Sequence, residues 1–131
     1  MKILTLSTKQ KFFDNIKAGI QKTETRELRP NTSHKYIYYV DSKGNRFSKV
    51  EDLPEDDSDL SIEAKKYDAI KFLTGEYKGK RPYMVVEVLG EEVQFLTDEN
   101  DEDITYEYEG QEYTAAQIVY QLGKVLEESN V

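Results

Sequence analysis

The octet Gly19-Ile20-Gln21-Lys22-Thr23-Glu24-Thr25-Arg26 sets a carboxylate between two cations on a stretch that reads as a strand. Strand side chains point to opposite faces in turn, so Lys22, Glu24 and Arg26 share one side and Gln21, Thr23 and Thr25 the other. A cation, an anion and a cation in line can form a polar ligand site. Guanidinium groups grip phosphate through two parallel bonds and stack on bases. Glu24 either accepts from a base amino group or holds Arg26 as an ion pair. Arg29 extends the cationic set, with Lys17 and Glu27 beside it. The same pattern also describes a solvated strand face.

Arg81 and Tyr83 flank Pro82 at the end of a loop and are the next candidates to meet a base or a phosphate. Tyr36, Tyr38, Tyr39 and Phe72 either offer stacking surfaces, as in single-strand binders, or pack a core with their hydroxyls reaching water. Glu87 interrupts the apolar run Met84 to Leu89. If it points inward it must find a partner, Arg26 or Lys22, because an unpaired buried carboxylate is costly. His34, the single histidine, falls in a polar loop and reads as a solvent-facing or loop-bonding imidazole. The run Asp98 to Asp103 resembles a calcium loop in composition, yet it lacks the glycine at the sixth position and the alternation such loops require. A solvated charge run describes it better. With no cysteine, thiolate metal sites and disulfides are excluded. No P-loop, dinucleotide fingerprint or nucleophile elbow is present, and one histidine rules out a two-histidine zinc motif. The expectation is therefore no metal and no cofactor.

The elements that must position these residues can be read in order. Residues 2–7 alternate apolar and polar as a first strand. Ser7 or Thr8 is placed to cap a helix that buries Phe12, Phe13, Ile16 and Ile20, and Gly19 stands where a left-handed C-terminal cap belongs. Residues 23–29 read as a strand stopped by Pro30. Residues 36–40 form a strand, residues 41–45 a turn, and residues 46–50 a return strand. Residues 51–60 are an acidic mobile loop or insertion, with six acids and Pro54 between 51 and 59. Residues 60–66 suggest a short helix or turn. Strands follow at 69–73, 83–89 and 93–96, with a glycine-containing loop at 75–80. Glu109-Gly110 is a two-residue hairpin turn between strands at 104–108 and 111–113. From Thr114 as N-cap, residues 115–127 are predicted helical, burying Ile118, Val119, Leu122, Val125 and Leu126. Many short strands with one early and one late helix make an α+β fold with a curled sheet or small barrel.

Phe12-Phe13-x-x-Ile16-x-x-Gly19 running into Gln21-x-x-Glu24-x-Arg26 resembles the ASCH domain, a relative of the PUA domains. The stretches Tyr67 to Phe72 and Arg81 to Val88 are similar to its later part, so the resemblance covers most of residues 1–95. It implies one domain over residues 1–131: a PUA-like small β-barrel with an early helix after strand 1 and a C-terminal helix. It also implies a binding cleft beside the helix and strand, lined by Gln21, Lys22, Thr23, Glu24 and Arg26, for RNA, a nucleotide or a modified base. Some relatives are amidases acting on an acylated cytidine. They use the signature lysine and a threonine, where this chain carries Gln21 and Glu24. Glutamine is neither base nor nucleophile, whereas Glu24 could serve as a general base in a rearranged amidohydrolase. Lys22 does not replace the missing lysine simply, because a shift of one residue turns a strand side chain to the other face.

The chain has 131 residues, of which 37% are hydrophobic and 34% charged, enough for one domain with a compact aromatic core. No apolar run is long enough to span a membrane, and the opening residues are too short an apolar stretch for a signal peptide, so the expectation is a cytoplasmic protein. The net charge of −8 is divided unevenly. Residues 1–50 hold eleven Lys/Arg against four Asp/Glu, a net of +7, and residues 51–131 hold seven against twenty-two, a net of −15. Such a protein repels a polyanion at long range, which disfavours a long nucleic-acid groove and permits a small local site. The leading expectation is an RNA- or nucleotide-binding module. An amidohydrolase on an acylated nucleoside is the second, and a protein-interaction adaptor working through the acidic half is the third.

Overall fold

The computed structural model describes residues 1–53, 60–75 and 81–129. Most of the loop expected at 51–60 and of that at 75–80 therefore lies outside the described residues. Strand β1 (Ile3–Ser7) buries Leu4 and Leu6 as its alternation predicts. Helix α1 (Gln10–Lys17) buries Phe13 and Ile16, three residues apart on one face. Its apolar face is narrower than the sequence suggests, since Phe12 is 42% exposed and Ile20 76%. Neither Ser7 nor Thr8 caps it. Lys9 takes that position without a side-chain bond, because Ser7 still belongs to β1 and the Thr8 N–H donates to Leu73 O.

The C-terminal cap is as expected. Gly19 has φ +75°, its N–H donates to Ile16 O at 3.1 Å, and the Ile20 N–H donates to Asn15 O at 2.9 Å. Those two bonds make a Schellman motif, which satisfies carbonyls the helix end would leave open.

Strands β2 (Thr23–Leu28), β3 (Ile37–Val40), β4 (Arg46–Phe47), β5 (Ser61–Ala64), β6 (Ala69–Leu73) and β7 (Tyr83–Phe95) follow. The hairpin is β8 (Thr105–Tyr108) and β9 (Gln111–Thr114), and the last strand is β10 (Ala116–Glu128). A mixed sheet has the neighbour order β1–β6–β7–β10–β2, with β1 parallel and β7 antiparallel to β6. A three-stranded antiparallel sheet has the order β4–β3–β5, and β8 pairs with β9 alone.

Three expectations are corrected. The C-terminal helix does not form: residues 116–128 are one thirteen-residue strand. Ala116, Ile118, Tyr120 and Leu122 are buried at every second position, and Leu126, which a helix would have buried, is 40% exposed. Ile118, Val119, Tyr120 and Val125 suit a pleated surface, Gly123 weakens a helix, and β7 and β2 supply ladder partners on both sides. The fold is thus mostly β with one α-helix among the described residues. Residues 61–64 form a strand paired with β3 (Tyr39 opposite Ile62) rather than a helix or turn. Residues 83–95 are one continuous strand, not two.

The chain clusters into two compact units, each built from separate segments. The first comprises residues 1–24, 66–91 and those from Tyr120 onward, and the second comprises residues 25–65 and 92–119. The first is cored by Leu6, Ile70, Phe72, Met84, Val86 and Tyr120, and the second by Leu28, Ile37 and Ile118 with buried Ser33 and Asp41. No helix among the described residues is long and apolar enough to cross a membrane.

Candidate functional site

The octet is split by this organisation. Glu24 is the last residue of its segment in the first unit, and Thr25 opens the second. In β2 the burial pattern alternates, with Glu24 and Leu28 buried and Thr23, Thr25 and Glu27 exposed. Glu24 is only 7% exposed, and the Gln21 amide donates to Thr23 O at 2.9 Å and to Glu24 Oε2 at 3.4 Å. Gln21 precedes the strand and turns toward Glu24, so it does not share a face with Thr23 as strict alternation required. Lys22 also lies before the strand and is exposed, its carbonyl accepting from the Leu122 N–H. Glu24 is thus a buried carboxylate beside a glutamine amide, and Arg26, two residues on, is half-buried.

Arg81 and Tyr83 are not brought to the octet. The Arg81 guanidinium donates to Ser7 Oγ at 3.2 Å and to Thr74 O at 3.4 Å, and the Tyr83 ring lies 4.5 Å from Lys71 Nζ. Tyr83 O accepts from the Ser129 N–H, whereas Lys22 O accepts from the Leu122 N–H. Those two levels are seven residues apart along the β10 direction, roughly 23 Å at a strand's rise. Glu87 meets neither proposed partner. It is half-buried and lies against Gly123, in a cavity of about 590 Å³ that Asp68 and Lys124 also line. Strand β10 separates its strand from Lys22.

The second unit assembles a different site. Arg29 donates through Nε to Glu27 Oε1 at 2.8 Å, and its guanidinium carbon sits 4.1 Å from the centroid of the Tyr106 ring. Tyr106 lies directly across from Tyr113 in the β8–β9 ladder, their rings stacked at 5.8 Å, and Tyr108 meets Tyr113 edge-on at 6.4 Å. Residues i and i+2 of one strand and the residue facing them project to one side of a hairpin, which places these three rings together. The turn that sets this register has Glu109 at φ +50° and Gly110 at φ +80°, the paired left-handed geometry of a two-residue hairpin.

Beside this aromatic face lies a cavity of about 1040 Å³. Tyr108 and Tyr113 form one wall, Asn31, His34 and Gln111 add hydrogen-bonding groups, and Lys49, Glu51 and Glu109 bring charge. Burial pushes the Tyr106 hydroxyl above its ordinary 10.0, against the pull of Arg29. Burial raises Tyr39 as well, partly offset by its bond with Ser33 Oγ at 2.9 Å. Both phenols are therefore neutral at physiological pH.

His34, read as a loop residue, stands in the short 3₁₀ helix Ser33–Lys35 and also lines the cavity. The hairpin tyrosines were not singled out in the sequence. Their signal was present as Tyr106-x-Tyr108, Glu109-Gly110 and Tyr113: period-two tyrosines on both arms of a recognisable hairpin. The acidic run 98–103 binds itself, Asp98 Oδ1 accepting from the N–H groups of Asn100 and Glu102 at 2.8 and 3.0 Å. Among the described residues no group of three or more His, Cys, Asp or Glu is placed to hold a metal ion. No family model matches the chain, and neither a curated protein nor a solved structure shows significant similarity to it.

Proposed function

We propose that this chain is a binding module for a nucleotide or a short single-stranded RNA segment, with the base held against the tyrosine face of the second unit. The carrying observation is the Tyr108–Tyr113 wall of the 1040 Å³ cavity, backed by Tyr106 and Arg29. Every nucleobase has a π-face, and aromatic side chains that expose theirs in a cavity are suited to stack it. Arg29, fixed by Glu27 and Tyr106, is ordered in advance and loses little freedom on meeting a ligand. The acidic balance of residues 51–131 favours a ligand with few phosphates over a long polyanion.

A relationship to ASCH and PUA-like domains is part of the same proposal. The helix, the Gly19 cap and the Glu24 strand in that order support it. The strand at 116–128 and the glutamine at position 21 depart from it.

Anisotropy of a labelled single-stranded hexanucleotide RNA, titrated with wild type, Tyr113→Leu and Arg29→Ala, tests the reading. Tyr113→Leu is expected to weaken binding about tenfold, from a stacking contribution of about 1–3 kcal/mol per base. Equal affinity in a Tyr113→Leu protein with unchanged circular dichroism would retire this site.

A further inference from the structure

The charges around the cavity bear on which base it takes. Resting on the nucleotide-binding reading above, we infer that the cavity selects guanine, with the carboxylates of Glu51 and Glu109 accepting from its Watson–Crick edge. Among the described residues, two acids and one lysine, Lys49, line this space. A phosphate placed among them would meet two like charges, so the uncharged end of a nucleotide must face the carboxylates.

A carboxylate only accepts hydrogen bonds, and it does so through two oxygens side by side. Guanine answers that pattern with two adjacent donors, N1–H and the N2 amino group. Adenine and cytosine each pair an amino donor with a ring-nitrogen acceptor, which would face a carboxylate oxygen with a lone pair. Uracil offers one N–H between two carbonyls. The charge-assisted double bond to guanine is therefore the one fully matched pairing.

The positions of the acids suit this task. Glu109 occupies the left-handed first residue of the hairpin turn, directly after Tyr108, so its origin is fixed relative to the stacking wall. Glu51 lies in the short 3₁₀ turn Val50–Asp52 and is exposed, as is Glu109. Both can reach a ligand without first breaking a core. Lys49, two residues before Glu51, is the lysine among the described lining residues and suits the ribose or phosphate end.

Calorimetric titration of the full chain with the 5′-monophosphates of guanosine, adenosine, cytidine, uridine and inosine tests this assignment. Guanosine monophosphate is expected to bind at least about tenfold more tightly than the adenosine, cytidine and uridine compounds, the discrimination a good bidentate pair supplies. Inosine monophosphate, which lacks the N2 amino group, should fall between. Glu51→Gln or Glu109→Gln should reduce the guanosine preference to under about threefold while leaving adenosine affinity unchanged, and the variant that does so identifies the reading carboxylate. Comparable affinity for all bases, or a guanosine preference that survives both substitutions, overturns the guanine assignment and leaves the binding module standing. Absence of binding by any of the five nucleotides, with no binding of the hexanucleotide RNA, overturns both.

Discussion

Both units hold sealed and half-buried aromatic residues, and they differ in how the half-buried rings are grouped. In the first, Phe72 and Tyr120 are sealed among Ile70, Met84 and Val86, none more than 1% exposed, while Tyr67 and Tyr83 are half-buried, each under its own lysine, Lys2 and Lys71. In the second, Tyr36 is buried, Tyr38, Tyr39, Tyr106, Tyr108 and Tyr113 are half-buried, and Arg29, Arg46 and Lys65 lie over two of those rings. A sealed ring contributes stability and can offer nothing to a ligand. A half-buried ring contributes less and keeps a face available for stacking. Among the described residues, the first unit holds the two fully sealed rings, and the second the larger set of half-buried ones, three of them in mutual contact.

The contrast can be broken most sharply at Phe72. Phe72→Ala should destabilise the chain by about 3–5 kcal/mol, since its site is closed on every side. Urea unfolding measures this. If the loss is no larger than for a half-buried tyrosine, the two units do not differ as described.

In the second unit the largest structural loss is expected at Asp41. Its Oδ1 accepts from the N–H groups of Lys43 and Asn45, at 3.0 and 2.7 Å, and closes the turn between β3 and β4. Asp41→Ala should cost about 2 kcal/mol, from hydrogen bonds to a charged acceptor in a buried turn. Amide exchange should then quicken at Asn45 and Val40 before it does in β6.

Gly123 sharpens the comparison from the first unit. A Cβ there would meet the Glu87 carboxylate and the Leu89 side chain. Gly123→Ala should destabilise by about 1–2 kcal/mol through overpacking, and Glu87→Ala in the same chain should recover most of that loss. A double variant no better than the single one would show that Glu87 is not the obstacle.

Smallest is the pH effect. Burial raises Tyr39 and Tyr106 above 10.0, so the folded state holds both phenols neutral more firmly than the unfolded chain does. Their contribution is complete below pH 10 and is lost as pH rises through the folded values. Tyrosinate absorbance in the native protein should show a late fraction absent from Tyr39→Phe, and unfolding should become easier from about pH 10 upward.

Where local and tertiary preferences agree, the sequence was legible. Phe13 and Ile16 with Gly19 identify a helix and its end, because spacing and a left-handed glycine are local facts. Glu109-Gly110 likewise identifies its hairpin. The octet was only half legible. Alternation correctly set Glu24 apart from Thr23 and Thr25, but the start of β2 and the turn of Gln21 toward Glu24 depend on the β10 neighbour that captures Lys22 O. Residues 61–64 became a strand for the same kind of reason, since β3 offered an edge to pair with.

By itself the sequence determined the amphipathic first helix, the turns at Gly19, Asp41 to Asn45 and Glu109-Gly110, the two-sided charge balance and the exclusion of thiolate chemistry. Each is a property of a few adjacent residues or of composition. Only the tertiary structure decided that residues 116–128 are a strand. Ile118 and Leu122 satisfy the helical period and the strand period alike, and placing β10 between β7 and β2 resolved the tie. It also decided that Arg29, Tyr106, Tyr108 and Tyr113 meet. Residues nearly eighty positions apart come together only when long-range contacts outweigh the entropy of closing the chain between them.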